Sequence, residues 1–331
     1  MEQRVLGRTG ASVSVLGFGC GAVGGLMVRG APADQERAVA RALESGINYF
    51  DTAPAYGNGA SEENLGRVLK SIRPEIFLST KFTVLPEHKK NIAEGIAQSL
   101  EQSLRRLGRD HVDLLQLHNR IASGGSDRPL DASTVLEQVV PALESLRQQG
   151  KIRFFGITAI GDTRALQQVV DSGAFDTAQI CHNLLNPSAT TVLPASFPAQ
   201  NFEKLAIRAH AVGMGTIGIR VLAGGALSGL ETRHPIGAAS VDPIASGPDY
   251  RADVARAHAF QALVGAGYAR SLIEAALRFA FASEAMTTVL VGTSTLDQLE
   301  TAIGCANKGP LTRAGLDEAT RLWRNIAGAQ G

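Results

Sequence analysis

The chain has 331 residues, 44% hydrophobic and 19% charged, which is enough apolar material for a large core and too little charge for a disordered chain. Lys and Arg number 32 against 31 Asp and Glu, and a net charge of +1 excludes the electrostatic footprint of a nucleic-acid or anionic-membrane binder. Cys20, Cys181 and Cys305 stand far apart with no CxxC, so neither a disulfide framework nor a zinc knuckle is expected, and a reducing compartment is the default. The N-terminal MEQRVLGRTG lacks an apolar signal core, and the most apolar long window, 211–229, is Gly-rich and broken by Arg220. The expectation is a soluble cytoplasmic protein, monomer or homo-oligomer, acting on a small molecule, with no nucleic-acid or membrane partner.

In chain order, Arg4–Leu6 and Val13–Val15 around the turn Arg8-Thr9-Gly10 predict a β-hairpin, with Gly10 free to take a positive φ. Eight short apolar runs then predict strands: Val15–Cys20, Ile47–Asp51, Ile76–Lys81, Val112–His118, Phe154–Thr158, Thr177–Cys181, Thr216–Leu222 and Thr288–Gly292. Their nearly continuous apolar character suits parallel strands buried on both faces. Between them, apolar residues recur at three- and four-residue steps over Asp34–Ser45, Glu62–Lys70, Ile92–Leu107, Thr134–Gln149, Thr163–Ser172, Phe202–Val212 and Leu272–Ala282, predicting helices. Gly46, Gly108, Gly150, Gly173 and Gly213 stand where left-handed C-caps belong, and Asp34 and Ser61 where N-caps belong. Eight alternating units predict a (β/α)8 TIM barrel with the hairpin plugging one end, a single domain over 1–331. Two segments break the rhythm, Asn186–Gln200 and 223–267. Both are read as irregular loops on the C-terminal face that enclose substrate.

In such a barrel the chemistry belongs at the C-terminal ends of strands. The second predicted strand ends in Asp51 and runs on to Tyr56, the third ends in Lys81 and the fourth in His118. A lysine and a histidine ending successive apolar strands lose hydration unless they gain partners, and the aspartate supplies one. Together these residues make a proton donor. The phenol of Tyr56 is a weak acid near pKa 10. An adjacent Lys81 ammonium stabilises phenolate, Asp51 holds the ammonium, and His118 orients a carbonyl. Such a site still lacks a reductant, because no side chain supplies hydride. The seven histidines form no HxH or HExxH pattern, and no metal site is expected.

The stretches YFDTAPAYGNGASEENLGRVL, LSTKF, VDLLQLHN and FFGITA, in this order, together with N-terminal LGRTG and VSVLGFGCG and C-terminal VLVGTSTLDQLETAI, resemble the aldo-keto reductase superfamily over nearly the whole chain. The resemblance implies a (β/α)8 barrel that binds an extended nicotinamide cofactor, NADP(H) or NAD(H), with the tetrad Asp51, Tyr56, Lys81 and His118. It implies reduction of aldehydes or ketones, or oxidation of the corresponding alcohols or sugars. The alternative is a nicotinamide-binding regulatory subunit of a larger complex.

The resemblance also implies where the cofactor contacts lie. Cys20 and Gly21 follow the first strand near the cofactor, and Gly21 stands where many relatives carry a bulky aromatic, implying an open substrate pocket. The family's carboxamide contacts fall on Thr158 and Gln179. Ala159 replaces an asparagine and offers no amide, so Asn183 is a candidate substitute. Ile219 and Arg220 stand where a stacking tyrosine is common, and Leu222 to Gly225, Gly224 included, permit close backbone approach to phosphates. Gly292, Thr293, Ser294 and Gln298 follow the last strand and offer hydrogen bonds without positive charge, which leaves NADPH and NADH level. Trp323 is expected to pack on the barrel exterior.

Overall fold

The computed structural model describes residues 1–123 and 129–328. Strands β1 (Gln3–Val5) and β2 (Ser12–Ser14) form the expected antiparallel hairpin. β3 (Leu16–Gly19), β4 (Tyr49–Asp51), β5 (Phe77–Phe82), β6 (Val112–Leu117), β7 (Ile152–Thr158), β8 (Thr177–Cys181), β9 (Gly215–Ile219) and β10 (Thr288–Gly292) close into a parallel barrel, with β10 pairing both β9 and β3. The hairpin plugs the N-terminal end. Leu6 and Val13 are buried with Tyr49, Phe77, Leu114 and Ile217, and the Arg8 amide donates to Gly213 O at 2.7 Å. Gly7 lies so close to β9 that a Cβ would sit 2.2 Å from the Gly215 nitrogen, so no side chain fits there.

The strand period of two divides the barrel residues. Phe18, Phe50, Leu78, Leu115, Phe155, Ile180 and Val289 join the outer core beneath the helices. The alternate set faces inward. Along β5 and β6 it passes from apolar Phe77 and Leu114 to polar Ser79 and Gln116, and on β8 from Thr177 to Gln179, while Phe154, Ile217, Thr288 and Leu290 complete it.

All five predicted C-cap glycines have positive φ. The two predicted N-caps are wrong. Helix Pro32–Glu44 is capped by Ala31 with Pro32 in its first turn, which places Asp34 inside, paired with Arg37. Helix Ala60–Ile72 starts after Gly59, and the Ser61 hydroxyl instead donates to Cys20 O at 2.9 Å, tying this helix to the end of β3. The predicted helix 134–149 is interrupted by a π-helical turn over Val135–Val139, and 202–212 shortens to Leu205–Ala211.

The larger correction concerns 223–267, which is not irregular throughout. It holds helices Tyr250–Ala257 and Gln261–Gly265, joined through a 3-10 turn at His258–Phe260. The Asp249 side chain accepts from the Ala252 amide, and Val254, Ala257, Phe260 and Leu263 are buried in a second apolar cluster with Phe279 and Trp323. The other segment, 186–200, is a closed loop whose ends are joined by Asn186 Nδ2 donating to Gln200 O at 2.9 Å. Trp323 lies outside the barrel as expected, and its Nε1 donates to Leu184 O at 2.8 Å, anchoring the chain that leaves β8.

His182, just past β8, is fully buried with its ring 4.8 Å from that of Phe279. Neither ring nitrogen has a partner among the described residues, and burial pushes its pKa down from 6.5 to about 4. A base depressed in the folded state contributes stability that is complete above pH 6.5 and is lost as pH falls towards 4. That depression corresponds to about 3 kcal/mol. Chemical denaturation between pH 7 and 4 should show this loss, and His182→Phe should flatten that part of the profile; an unchanged slope would refute the assignment.

Candidate active site

Three successive strands deliver the site. Asp51 ends β4, Lys81 is the penultimate residue of β5, and His118 follows β6 with its amide held by Phe82 O at 2.8 Å. Tyr56 comes from the loop after β4, whose return into helix Ala60–Ile72 is fixed by the Ser61 amide on Tyr56 O at 3.2 Å. Within that helix, Glu62 is fully buried, accepting from Thr80 Oγ1 at 2.6 Å and Arg106 Nε at 2.7 Å, which locks the helix to β5 beside Lys81.

Lys81 is 1% exposed, and its three N–H bonds are all used. It donates to Asp51 Oδ1, to Thr52 O at 2.8 Å and to Tyr56 Oη at 3.1 Å. Burial works against the ammonium, yet Asp51 and Tyr56 more than offset it and raise the lysine above its usual range. The ammonium therefore persists without hydration. The Tyr56 ring meets that of His118 edge-on at 6.0 Å.

The phenol departs from the expectation of a more acidic tyrosine. Burial pushes Tyr56 up, Lys81 pulls it down and Asp51 pushes it up again, and the net direction is upward. Tyr56 is thus protonated at neutral pH, with its conjugate base stabilised by a charge already in place. Burial, and then the Lys81 charge, drive His118 down to about 3, so its imidazole is neutral and acts by hydrogen bonding rather than as a cation.

The sequence profile of the Aldo/keto reductase family matches residues 15–324. The chain belongs to the aldo/keto reductase family. It is 30% identical to L-galactose dehydrogenase from Arabidopsis thaliana, covering 97% of this chain and 92% of that one. It is 29% identical to the NADH-specific methylglyoxal reductase of Escherichia coli strain K12 over 56% of this chain and 60% of the relative. Among solved structures it resembles the holo form of aldo-keto reductase AKR11C1 from Bacillus halodurans, with TM-score 0.73, 25% identity and coverage of 97% and 96%. As an aldo/keto reductase the chain is an oxidoreductase that takes NAD(H) or NADP(H).

The residues beside the tetrad suit such a cofactor. The Thr158 hydroxyl donates to Gln179 Oε1 at 3.3 Å, and Gln179 Nε2 donates to Asp51 Oδ2 at 2.7 Å, so the Gln179 oxygen is the group left to receive a carboxamide N–H. Asn183 is partly committed, with one Nδ2–H left over among the described residues. Its oxygen accepts from the Leu185 and Asn186 amides, and its nitrogen donates to Arg220 O at 2.9 Å. Ile219 ends β9 and Arg220 follows it, both half-buried, with Arg220 at φ 55°, and Leu222 leads into the bare backbone of Gly224 and Gly225.

Part of the segment read as an enclosing loop, 233–238, covers this end. Arg233 donates to Ala238 O at 2.6 Å, Gly224 O at 2.7 Å and Val23 O at 3.4 Å, while the Ala238 amide donates to Val23 O at 3.1 Å and Arg29 Nε to Ile236 O at 2.6 Å. Residues 233–238 thus bridge from the loop after β9 to the loop after β3, across the end of β10 where Gly292, Thr293 and Ser294 lie. A Cβ at Gly237 would sit 3.6 Å from Ser294 Oγ. Gln298 is partly committed, since its oxygen caps the Ser294 amide at 2.8 Å. Cys20 is buried beside Asp51 and Lys81, with its thiol held well above its usual range by burial, and is inert as a nucleophile. No His, Cys, Asp and Glu cluster among the described residues could hold a metal ion.

Proposed function

We propose that this chain moves hydride between a nicotinamide cofactor and a small aldehyde, ketone, alcohol or aldose, with Tyr56 giving or taking the proton on oxygen. The observation that carries the reading is the Lys81 ammonium, held at once by Asp51 and by Tyr56 Oη at 3.1 Å. The bound cofactor supplies or accepts the hydride. In the reductive direction Tyr56 Oη donates its proton to the oxygen of the former carbonyl, and Lys81 stabilises the phenolate left behind. Neutral His118 donates an N–H to the same oxygen and orients it. In oxidation the phenolate takes the proton back. Thr158, Gln179, Arg220, Leu222, Gly224, Gly292, Thr293, Ser294 and Gln298 would hold the cofactor, and Cys20, Gly21 and Ile219 would border it near the tetrad.

The named relatives, an aldose dehydrogenase and a small-aldehyde reductase, support both substrate classes over the alternative of a regulatory subunit. Steady-state assays with NADH and NADPH against short aldehydes, and with NAD⁺ and NADP⁺ against aldoses, test the reading. Repeated turnover with one pair is expected; cofactor binding without turnover on either panel would overturn it.

Gly21 faces the reacting group, and a Cβ there would lie 3.9 Å from the Tyr56 ring, an ordinary contact. Gly21→Trp should therefore fold and narrow the pocket, lowering kcat/KM for hexoses by about tenfold or more while short aldehydes change by less than about threefold. Equal losses on both substrate sizes would show that Gly21 does not shape the pocket.

A further inference from the structure

TIM-barrel interiors are filled mostly by branched apolar side chains. Here β6 places Gln116, fully buried, directly under the tetrad. Its register partner on β7 is Gly156, where a Cβ would collide with Thr177 Oγ1 at 2.1 Å, so the space on that side is already filled by Thr177. Gln116 Nε2 donates to Ser79 Oγ at 2.9 Å and to Asp51 Oδ2 at 3.3 Å, and Ser79 Oγ donates to the same Oδ2 at 3.1 Å. With Gln179, three side chains converge on one oxygen of Asp51 while the other oxygen faces Lys81.

Packing alone does not favour this arrangement. The Gln116 Oε1 is buried without a partner among the described residues, and an amide buried half-satisfied is less stable than leucine or methionine of similar size. What the amide adds is aim. We propose that Gln116, together with Ser79, is a positioning residue for the reaction: the two fix the plane of the Asp51 carboxylate, so that Oδ1 presses the Lys81 ammonium onto Tyr56. This rests on the proton role of Tyr56 proposed above. Without these donors the carboxylate can turn about its χ2, the ammonium follows it, and Tyr56 loses part of the charge that stabilises its phenolate.

The test compares Gln116→Met and Ser79→Ala with the parent enzyme and with Tyr56→Phe, measuring kcat, KM, cofactor affinity, thermal midpoint and the pH profile of alcohol oxidation. Gln116→Met should lower kcat about tenfold, as expected for a lost hydrogen bond to a charged group, with KM and cofactor affinity within about twofold. The pH of half-maximal oxidation should rise by about one unit. Its thermal midpoint should be equal or higher, which a merely structural glutamine would not allow. Ser79→Ala should shift the profile in the same direction, and the double variant should fall short of the product of the two losses, because both act on Oδ2.

If Gln116→Met does not fold, Ser79→Ala decides alone. Parental kcat and pH profile in the folded variants, or a change confined to KM, would overturn the inference while a crippled Tyr56→Phe leaves the proposed function standing. An unimpaired Tyr56→Phe, or a parent enzyme without turnover, would remove both.

Discussion

Tyr56→Phe is expected to lower kcat by about 10²–10⁴-fold, the range for losing a positioned general acid, while folding and cofactor affinity stay near those of the parent. The ring keeps its edge contact with His118 at 6.0 Å, and the substitution removes only the hydroxyl that Lys81 reaches at 3.1 Å. No other group can take over the proton. Lys81 stays held by Asp51 Oδ1 and Thr52 O, with its proton retained by the Asp51 charge, and His118, driven down to about 3, is neutral and holds its remaining N–H too tightly to act as an acid at neutral pH. Because burial raises Tyr56, the parent enzyme should reduce carbonyls across the neutral range and oxidise alcohols better as pH rises. Turnover by Tyr56→Phe within about threefold of the parent would eliminate the proton role.

Much of this was legible in the sequence, for a specific reason. Parallel strands buried on both faces are nearly continuous in apolar character, so Thr177–Cys181 and Thr288–Gly292 could be bounded to the residue, and the charged groups closing such runs, Asp51 and Lys81, stood out. What the pattern could not show was depth and direction. Gln116 sits inside VDLLQLHN, where one polar residue in an apolar run reads as noise, and only its hydrogen bonds to Ser79 and Asp51 reveal where it points. The net direction of the Tyr56 shift required weighing burial against two opposing charges, which spacing does not measure.

The 223–267 segment misled because its first half is rich in Gly, Ala, Ser and Pro. The Asp249 cap before Tyr250–Ala257 was nevertheless present as a readable signal. Asp34 and Ser61 failed as caps for the opposite reason. A suitable side chain stood near each helix start, but Pro32 and Gly59 set the actual boundary through backbone geometry. The bridge over 233–238 had no local signature at all, since its contacts are made mostly to backbone carbonyls far along the chain.

Lys81→Met should be at least as damaging as Tyr56→Phe, and in two separable ways. In chemistry it removes the charge that stabilises the phenolate, so kcat should fall by about 10²–10³-fold or more, on the scale of losing one preorganised electrostatic contact. In stability it leaves Asp51, 3% exposed, without its cation. Three donors still cover Oδ2, but Oδ1 is left facing an apolar thioether, and breaking a buried pair from one side typically costs about 3–5 kcal/mol. Adding Asp51→Asn to Lys81→Met removes the stranded charge and should restore most of the stability while leaving activity abolished. Denaturant unfolding and kcat measured on the parent, the single variant and the pair separate the two effects. If the paired variant regained activity along with stability, the ammonium would be acting as a structural ion alone and the proton mechanism would fail; if Lys81→Met unfolded no more easily than the parent, Asp51 could not be carrying a buried charge beneath Tyr56.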